Sequence, residues 1–430
     1  MLTEKLYQVT LKKVEGEKET AKMGLAWLGH CLKDYGIDKI IDRYNPTKAN
    51  KEIKTSEKIM VGALSIIAGA ERIEDIENLR ADKGLINNLG LKKIISPDTL
   101  REHLKVKKNN GITRKGNEDI MIKAMKKTEV KEFTYDNDAT YFDSGKESAA
   151  YSYQKKKQFS GLLGFIAELG LCNTVDFRRG NVSPQSGILN QIRKAVRQAK
   201  AAGKKIKRFR GDSAAHQNAI FRECDAKGIE YYISLDKNAA VVECIKALTE
   251  KHWKELPKEE EDDKSVEWAE TVYVTGAGIG MRMLVLRWKN PNPDLFDKSA
   301  YCYHAIGTNN NDIEPLEWLR FHNGRMNSEN YNKEVKNGFN CDYTPSHGFE
   351  MNRGYFLLGI LAYNMVQIMK LFYLGEATVK WTIKTLRYKF INVCGKIIKT
   401  GRQYFCKIIN VTDSVFELFE NCLARLVYCG

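Results

Sequence analysis

The stretch from Lys205 to Leu235 reads KIKRFRGDSAAHQNAIFRECDAKGIEYYISL, and it decides the fold class. Lys205 to Arg210 has the length of a short strand, and it runs into Gly211-Asp212. Ala215 to Lys227 follows as a helix, closed by Gly228, the residue type that most readily takes the left-handed conformation after a last helical turn. Tyr231 to Leu235 is a second strand, rich in aromatic and β-branched residues. Strand, helix and strand of these lengths form a βαβ unit, so the chain belongs to the α/β class. Asp212 then stands at the C-terminal end of a strand, the edge where open α/β sheets place their ligands.

Upstream, Phe133 to Phe142 carries strand-like aromatics in alternation, and Leu162 to Phe177 holds apolar runs suited to further strands. Ile188, Ile192, Val196 and Ala199 fall at helical spacing, with Gly203 closing that helix. Downstream, Glu250 to Asp263 ends in the acidic run 259–263, which reads as a solvated loop rather than a metal site. Thr271 to Thr275, Met281 to Trp288 and Ser299 to Ile306 are strand candidates and suggest an inserted β-rich subdomain. A helical pattern resumes at Glu314 and continues to Leu374. Gly354 to Leu374 is about long enough to span a bilayer, but Asn364, Gln367 and Lys370 interrupt it. A buried core helix is therefore expected there, with no membrane as partner.

The front of the chain is helical by pattern, with Ile59, Met60, Leu64, Ile67, Ile73 and Ile76 at suitable spacing. Ser96-Pro97-Asp98 has the residues of a helix start. Lys105 to Lys131 is rich in Lys, contains Asn109-Asn110-Gly111, and reads as a linker and DNA-facing surface. Lys380 to Lys407 is basic and mixed, and the last segment reads as helical. The expected division is 1–130, a helical N-terminal DNA-binding region; 131–240, the first part of the core; 241–312, the β-rich insertion; 313–375, the final core helices; and 376–430, a basic helical C-terminal region.

The 430 residues carry a formal charge of +15, which favours polyanionic partners, nucleic acid above all. The ten cysteines form no C-x-x-C pair and no zinc-finger spacing. Met1 to Lys13 is charged and lacks the apolar run of a secretory signal, so reduced thiols and a cytoplasmic location are expected. Serine or cysteine nucleophile schemes find no support, since no base and orienting partner accompany a candidate nucleophile.

Asp138 lies within a strand, in Asp136-Asn137-Asp138-Ala139-Thr140. Two aspartates and a helix-borne glutamate could hold two Mg²⁺ ions roughly 3.5–4 Å apart, because hard oxygen ligands suit that cation. The run from His322 to Lys336, HNGRMNSENYNKEVK, supplies such a glutamate. Arg325, Glu329 and Lys336 recur at spacings of four and seven residues, which puts them on one helix face. A carboxylate there can bind metal while the cations grip phosphates. The plainer reading of the same spacing is an ordinary surface ion pair.

That segment resembles the Y-x2-R-x3-E-x6-K signature of bacterial insertion-sequence DDE transposases of the cut-and-paste type. His322, Arg325, Glu329 and Lys336 match its spacing, with His322 in place of the tyrosine. Asp138-Ala139-Thr140 is similar to the D-x-T of the first catalytic aspartate, and Arg210-Gly211-Asp212-Ser213 to the second, in the right order. The resemblance runs over nearly the whole chain. It implies an RNase H-like mixed sheet flanked by helices, with a β-rich insertion and a helical N-terminal region. It implies metal-dependent cleavage at transposon ends and strand transfer into target DNA, using Asp138, Asp212 and Glu329 as catalytic metal ligands for two Mg²⁺ ions, or Mn²⁺. His322, Arg325 and Lys336 become candidate DNA contacts, and Tyr303, His304 and Trp318 candidates for stacking a flipped base, with core packing the plainer role for any one of them. The implied partners are terminal inverted repeats, target DNA and a second subunit in a synaptic dimer at the bacterial nucleoid. The rival readings are an RNase H-like nuclease without strand transfer and a degenerate transposase kept for DNA binding. Asn323-Gly324 favours a turn, so the helix bearing Glu329 is expected to begin near Arg325. Asp136, on the strand face of Asp138, is expected to support the metal ligands from behind or to be structural rather than to bind metal itself, Glu334, Asp143 and Glu147 to be solvated, and His216 to be a helix-start or surface residue.

Overall fold

The computed structural model describes residues 18–46, 53–257, 265–291, 300–400 and 403–428. Met1 to Lys13, the acidic run 259–263 and Ser299 lie outside the described residues. The centre is a mixed sheet of ten strands, two of them the two-residue pieces Ala150–Tyr151 and Lys254–Glu255. Its main strands are β1 (Glu132–Asp143), β2 (Lys157–Ile166), β3 (Leu171–Arg179), β4 (Lys205–Gly211), β5 (Glu230–Ser234), β6 (Val266–Val274), β7 (Gly280–Lys289) and β8 (Tyr301–Thr308). Their order across the sheet is β3-β2-β1-β4-β5-β8-β7-β6. Strands β1, β2 and β3 form an antiparallel meander, while β4 and β5 run parallel to β1. This is the mixed sheet expected of an RNase H-like core.

The middle of the sheet is apolar because helices cover it. Strand β2 is buried along nearly its full length, as suits a strand packed on both faces. Gly164 within it has a specific reason: a Cβ there would lie 2.1 Å from the Tyr135 hydroxyl and 2.2 Å from Thr174 Oγ1. One layer is α5 (Ile188–Ala201), which buries Ile188, Ile192 and Ala199 of the stripe read from sequence, with Ala195 buried beside them and Val196 only partly covered. The βαβ unit is present as β4, α6 (Asn218–Lys227) and β5, with Gly228 at φ +62° ending the helix. Helix α6 begins later than Ala215 because Ser213–Ala215 forms a separate 3₁₀ turn at the strand end.

The front of the chain supplies α1 (Met23–Asp34), α2 (Thr55–Ala68), α3 (Pro97–Leu104) and α4 (Lys107–Lys127). Ser96 caps α3 by accepting from Thr99 N, and Pro97 stands in its first turn, as the sequence indicated. The stretch read as a linker, Lys105 to Lys131, is instead mostly the 21-residue helix α4. Its polar residues misled because they are buried with partners. Asn110 donates to Leu104 O at 3.1 Å and to Glu350 O at 2.8 Å, and Asn117 Oδ1 accepts from Asn364 at 2.8 Å. Satisfied amides of this kind are compatible with an interior position.

Helix α7 (Ala239–Lys246) follows β5, and helices α8 (Pro315–Asn323), α9 (Met326–Lys333) and α10 (Phe349–Met369) follow β8. Almost every residue of α10 is buried within the protein, and the helix packs against α2 and α4 as well as β3. The polar residues that argued for a core helix have protein partners. The Asn364 side chain pairs with both backbone groups of Cys172, and Lys370 donates to Trp381 O at 2.7 Å.

Two expectations are corrected. The strands β6, β7 and β8 do not make a sheet of their own. Ile306 pairs with Ser234, so they extend the central sheet beyond β5. The C-terminal region is not all helical: β9 (Cys394–Thr400) and β10 (Gln403–Ile409) form an antiparallel pair before α11 (Asp413–Tyr428). Ile397, Ile398, Ile408 and Ile409 favour strand by their branching, which outweighed the basic composition.

Candidate active site

Parallel pairing between β1 and β4 builds the first half of the site. Asn137 faces Gly211 at the last register position, so the next residues, Asp138 and Asp212, emerge side by side where the ladder ends. Asp212 leaves the strand in extended conformation and accepts a 3.0 Å hydrogen bond from Ala214 N, which fixes its carboxylate at the start of the 3₁₀ turn. Burial pushes the Asp138 carboxyl up to about 6, reinforced by the charges of Asp212 and Glu329 and opposed by Arg325. Burial also raises the Asp212 carboxyl, with Asp236 adding to the shift and Arg325 opposing it. Two carboxylates that disfavour each other's ionisation in a partly buried cleft suit a bound cation.

The second half comes from the chain after β8. Helix α8 stops at Asn323, the chain bends at Gly324, and α9 starts at Met326, so the break falls where Asn-Gly indicated. Gly324 is required by a close approach: a Cβ there would lie 2.3 Å from Arg210 Nη1. Helix α9 and the π turn Glu334–Gly338 lie along β1. Arg325 donates to Glu329 at 2.7 Å, and its other terminal nitrogen lies 3.9 Å from Asp138 Oδ1. Asn332, one turn beyond Glu329, donates to Asp138 Oδ2 at 2.7 Å. Lys336 donates to Tyr141 O at 2.9 Å. Arg325, Glu329 and Lys336 thus share one side of their helix, facing the strand that carries Asp138.

Glu329 is half exposed and turned toward Arg325. Among the described residues no group of three His, Cys, Asp or Glu side chains is gathered closely enough to hold a metal ion. The guanidinium instead reaches both Asp138 and Glu329, so a positive charge already occupies the space between these acids. Asp138 and Asp212 fit a hard divalent cation by donor type and by mutual repulsion, and Glu329 fits once it exchanges Arg325 for the ion.

Several candidates lie in the interior or partly buried. His322 is 4% exposed, with Nε2 3.2 Å from Ser234 Oγ and Nδ1 3.3 Å from Tyr232 O, and burial holds its ring down to about 3. It is a neutral core histidine that ties α8 to β5, not a phosphate contact at the surface. Trp318 is fully buried under the Arg282 guanidinium, so it has no face for a DNA base. Tyr303 is half-buried against Trp253 and Tyr301. His304 projects from the opposite face of β8 toward the His322 ring, 6.1 Å away, and burial lowers its basicity. His216 is partly buried, and its Nδ1 accepts from Asp236 N at 3.0 Å. Glu334 is not simply solvated, since its carboxylate accepts from Ile383 N.

Asp136 is structural, as expected. It is fully buried and held by Arg210 through two hydrogen bonds of 2.6 and 2.7 Å, while Arg210 also donates to Phe321 O at 2.8 Å. Sequence reasoning missed Asn332 and Asp236. Asn332 was findable as the residue one helical turn after Glu329 on the same face. Asp236 follows β5 as Asp212 follows β4, so strand-end placement could have found it too.

The family model described as transposase DDE domain group 1 matches residues 5–428. No curated protein matches the chain. Among solved structures it is similar to the piggyBac transposase in a synaptic complex with hairpin DNA, at 11% identity and a TM-score of 0.40, over 81% of this chain and 75% of that one.

Proposed function

Because the chain belongs to the group 1 DDE-domain transposases, and so is an enzyme acting on DNA, we propose that Asp138, Asp212 and Glu329 are the residues that cut and join it. The observation that supports this most is the Arg325 guanidinium, a single cation paired with Asp138 and Glu329 beside the strand end that carries Asp212. It contacts Asp138 and Glu329 and lowers the Asp212 carboxyl from what burial alone would give. A pair of Mg²⁺ or Mn²⁺ ions held by these oxygens would supply activation of the attacking water or 3′-hydroxyl and stabilisation of the leaving oxygen.

The protein's own groups prepare that chemistry. Asn332 orients Asp138, and the Ala214 amide orients Asp212. The Arg210–Asp136 pair fixes β1 against β4 and braces the end of α8, from which Arg325 follows. With a metal ion held by Glu329, Arg325 would be free to grip a phosphate, with Lys336 further along the chain. Positioning and charge stabilisation of this kind carry phosphoryl transfer without a protein nucleophile.

The substrates under this reading are the terminal inverted repeats of a transposon and a target duplex, held in a synapse of two subunits. The test is strand transfer with pre-cleaved ends in Mg²⁺ or Mn²⁺. Joined product is the expected result. Cleavage of intact ends without joining would leave a nuclease, and end binding with neither step would leave a DNA-binding protein.

A further inference from the structure

We propose that the tip of the β1–β2 hairpin, through Tyr151 and Tyr153, is a stacking platform for unpaired DNA bases beside the cleavage site. This rests on the transposase reading above and names a contact within it. Tyr151 is 70% exposed and Tyr153 is 69% exposed, whereas Ser152 between them is buried. Two large exposed rings thus frame one buried residue at the tip of a single hairpin, a pair of apolar faces side by side rather than one scattered ring.

The tip is built rather than loose. Ala150 and Tyr151 pair with Gln158 and Lys157, and Lys155 at φ +58° makes the turn. Ser152 N donates to Lys156 O at 2.9 Å, and Ser152 Oγ donates to the buried Gln158 side chain, which in turn donates to Asp143 at 2.6 Å. The base of the loop is tied to the segment after the π turn: Ser144 and Thr344 hydroxyls lie 3.0 Å apart, and Ser148 N donates to His347 O. Rings presented on a fixed backbone lose little freedom on binding, which favours stacking.

Placement and charge indicate nucleic acid. Tyr153 packs edge-on against Tyr141, with ring centroids 5.5 Å apart. Tyr141 is three residues from Asp138, about 10 Å along the strand, and its carbonyl accepts the Lys336 hydrogen bond. Lys155, Lys156 and Lys157 follow the tyrosines within the same hairpin and Lys146 precedes them, against Asp143 and Glu147. Cations to follow a phosphate backbone and aromatic faces for its bases make a surface for single strands, indifferent to sequence. Tyr303, half-buried, and Trp318, fully buried, cannot serve in this way without rearrangement.

The experiment uses the full chain in EDTA, so that its outcome does not depend on catalysis. Affinity is measured for a short oligothymidylate and for a blunt duplex. The double variant Tyr151→Ala/Tyr153→Ala should lose about tenfold or more toward the oligothymidylate and keep its duplex affinity and melting temperature. Tyr151→Phe/Tyr153→Phe should bind like the parent, because the ring face is kept. Unchanged single-strand affinity in the alanine variant would overturn the platform. So would an equal loss for the duplex, since that would mark a general DNA contact. Failure of strand transfer, by contrast, bears only on the transposase chemistry.

Discussion

Arg325 holds Glu329 across one helical turn at 2.7 Å, on a side chain half open to solvent. An ordinary exposed pair of this kind contributes well under 1 kcal/mol. Here the same guanidinium also lies 3.9 Å from Asp138, which makes it a counter-ion for a cluster of acids rather than a surface ornament. In the metal-free protein one cation thus partly offsets the charges of Asp138 and Glu329.

Arg325→Ala separates the two roles of that cation. Without DNA, the variant should bind Mn²⁺ more tightly than the parent, because Glu329 is freed. With DNA, cleavage should fall by about ten- to a hundredfold, as expected when a charged hydrogen bond to phosphate is lost. Titration of Mn²⁺ by electron paramagnetic resonance, set beside cleavage rates, checks both. Weaker metal binding in the variant would show that Arg325 supports the site instead of competing for it.

The raised Asp138 carboxyl has a consequence for stability. Its folded-state value, about 6, lies above the ordinary carboxylate range near 4. Between those values the folded state binds more protons than the unfolded state, so stability falls as pH rises through that window and stays lowered above it. Asp138→Asn should therefore stabilise the metal-free protein at pH 7 by about 1–3 kcal/mol, while abolishing cleavage. The gain should vanish below about pH 4. Thermal melts in EDTA at several pH values measure it; a variant less stable than the parent at pH 7 would contradict the strain.

Lys336 and His322 fill two places of one sequence signature but should behave differently. Lys336→Ala should weaken DNA binding uniformly across sequences and reduce the salt dependence by about one phosphate contact. His322→Ala should leave the salt slope unchanged and instead destabilise the fold by about 2–3 kcal/mol, since it removes a buried ring and strands the groups around it. Binding isotherms at several salt concentrations, with melting curves, distinguish the two.

Asp136 and Arg210 form a buried pair whose disruption should be costly. Asp136→Ala leaves the guanidinium without its carboxylate, for a loss of about 3–5 kcal/mol. Removing both partners together should cost less than the sum of the single changes. A double-mutant cycle by denaturant unfolding gives the coupling, and strict additivity would argue against a coupled pair.

The core was legible where local chemistry and tertiary packing agree. The βαβ unit around Asp212, the stripe on α5, the cap of α3 and the break at Asn323-Gly324 each follow from a few adjacent residues. Helix α4 was not legible, because the amides of Asn110 and Asn117 look solvated until their partners on the chain at 350 and 364 are in place. The burial of His322 was hidden for a similar reason. It depends on β8 pairing with β5 and extending the sheet, a long-range contact that spacing alone does not encode. The three acids were singled out by strand-end placement and by resemblance, and the Arg325–Glu329 pair by its spacing, while the reach of Arg325 to Asp138 could be seen only in three dimensions.

Metal rescue tests the catalytic assignment most directly. Asp212→Cys replaces a hard oxygen ligand by a soft thiolate, which Mg²⁺ accepts poorly and Mn²⁺ better. Cleavage of transposon-end DNA by this variant should be lost in Mg²⁺ and partly restored in Mn²⁺, with the parent active in both. Full activity of the variant in Mg²⁺ would mean that Asp212 holds no ion, and the three-acid site would have to be abandoned.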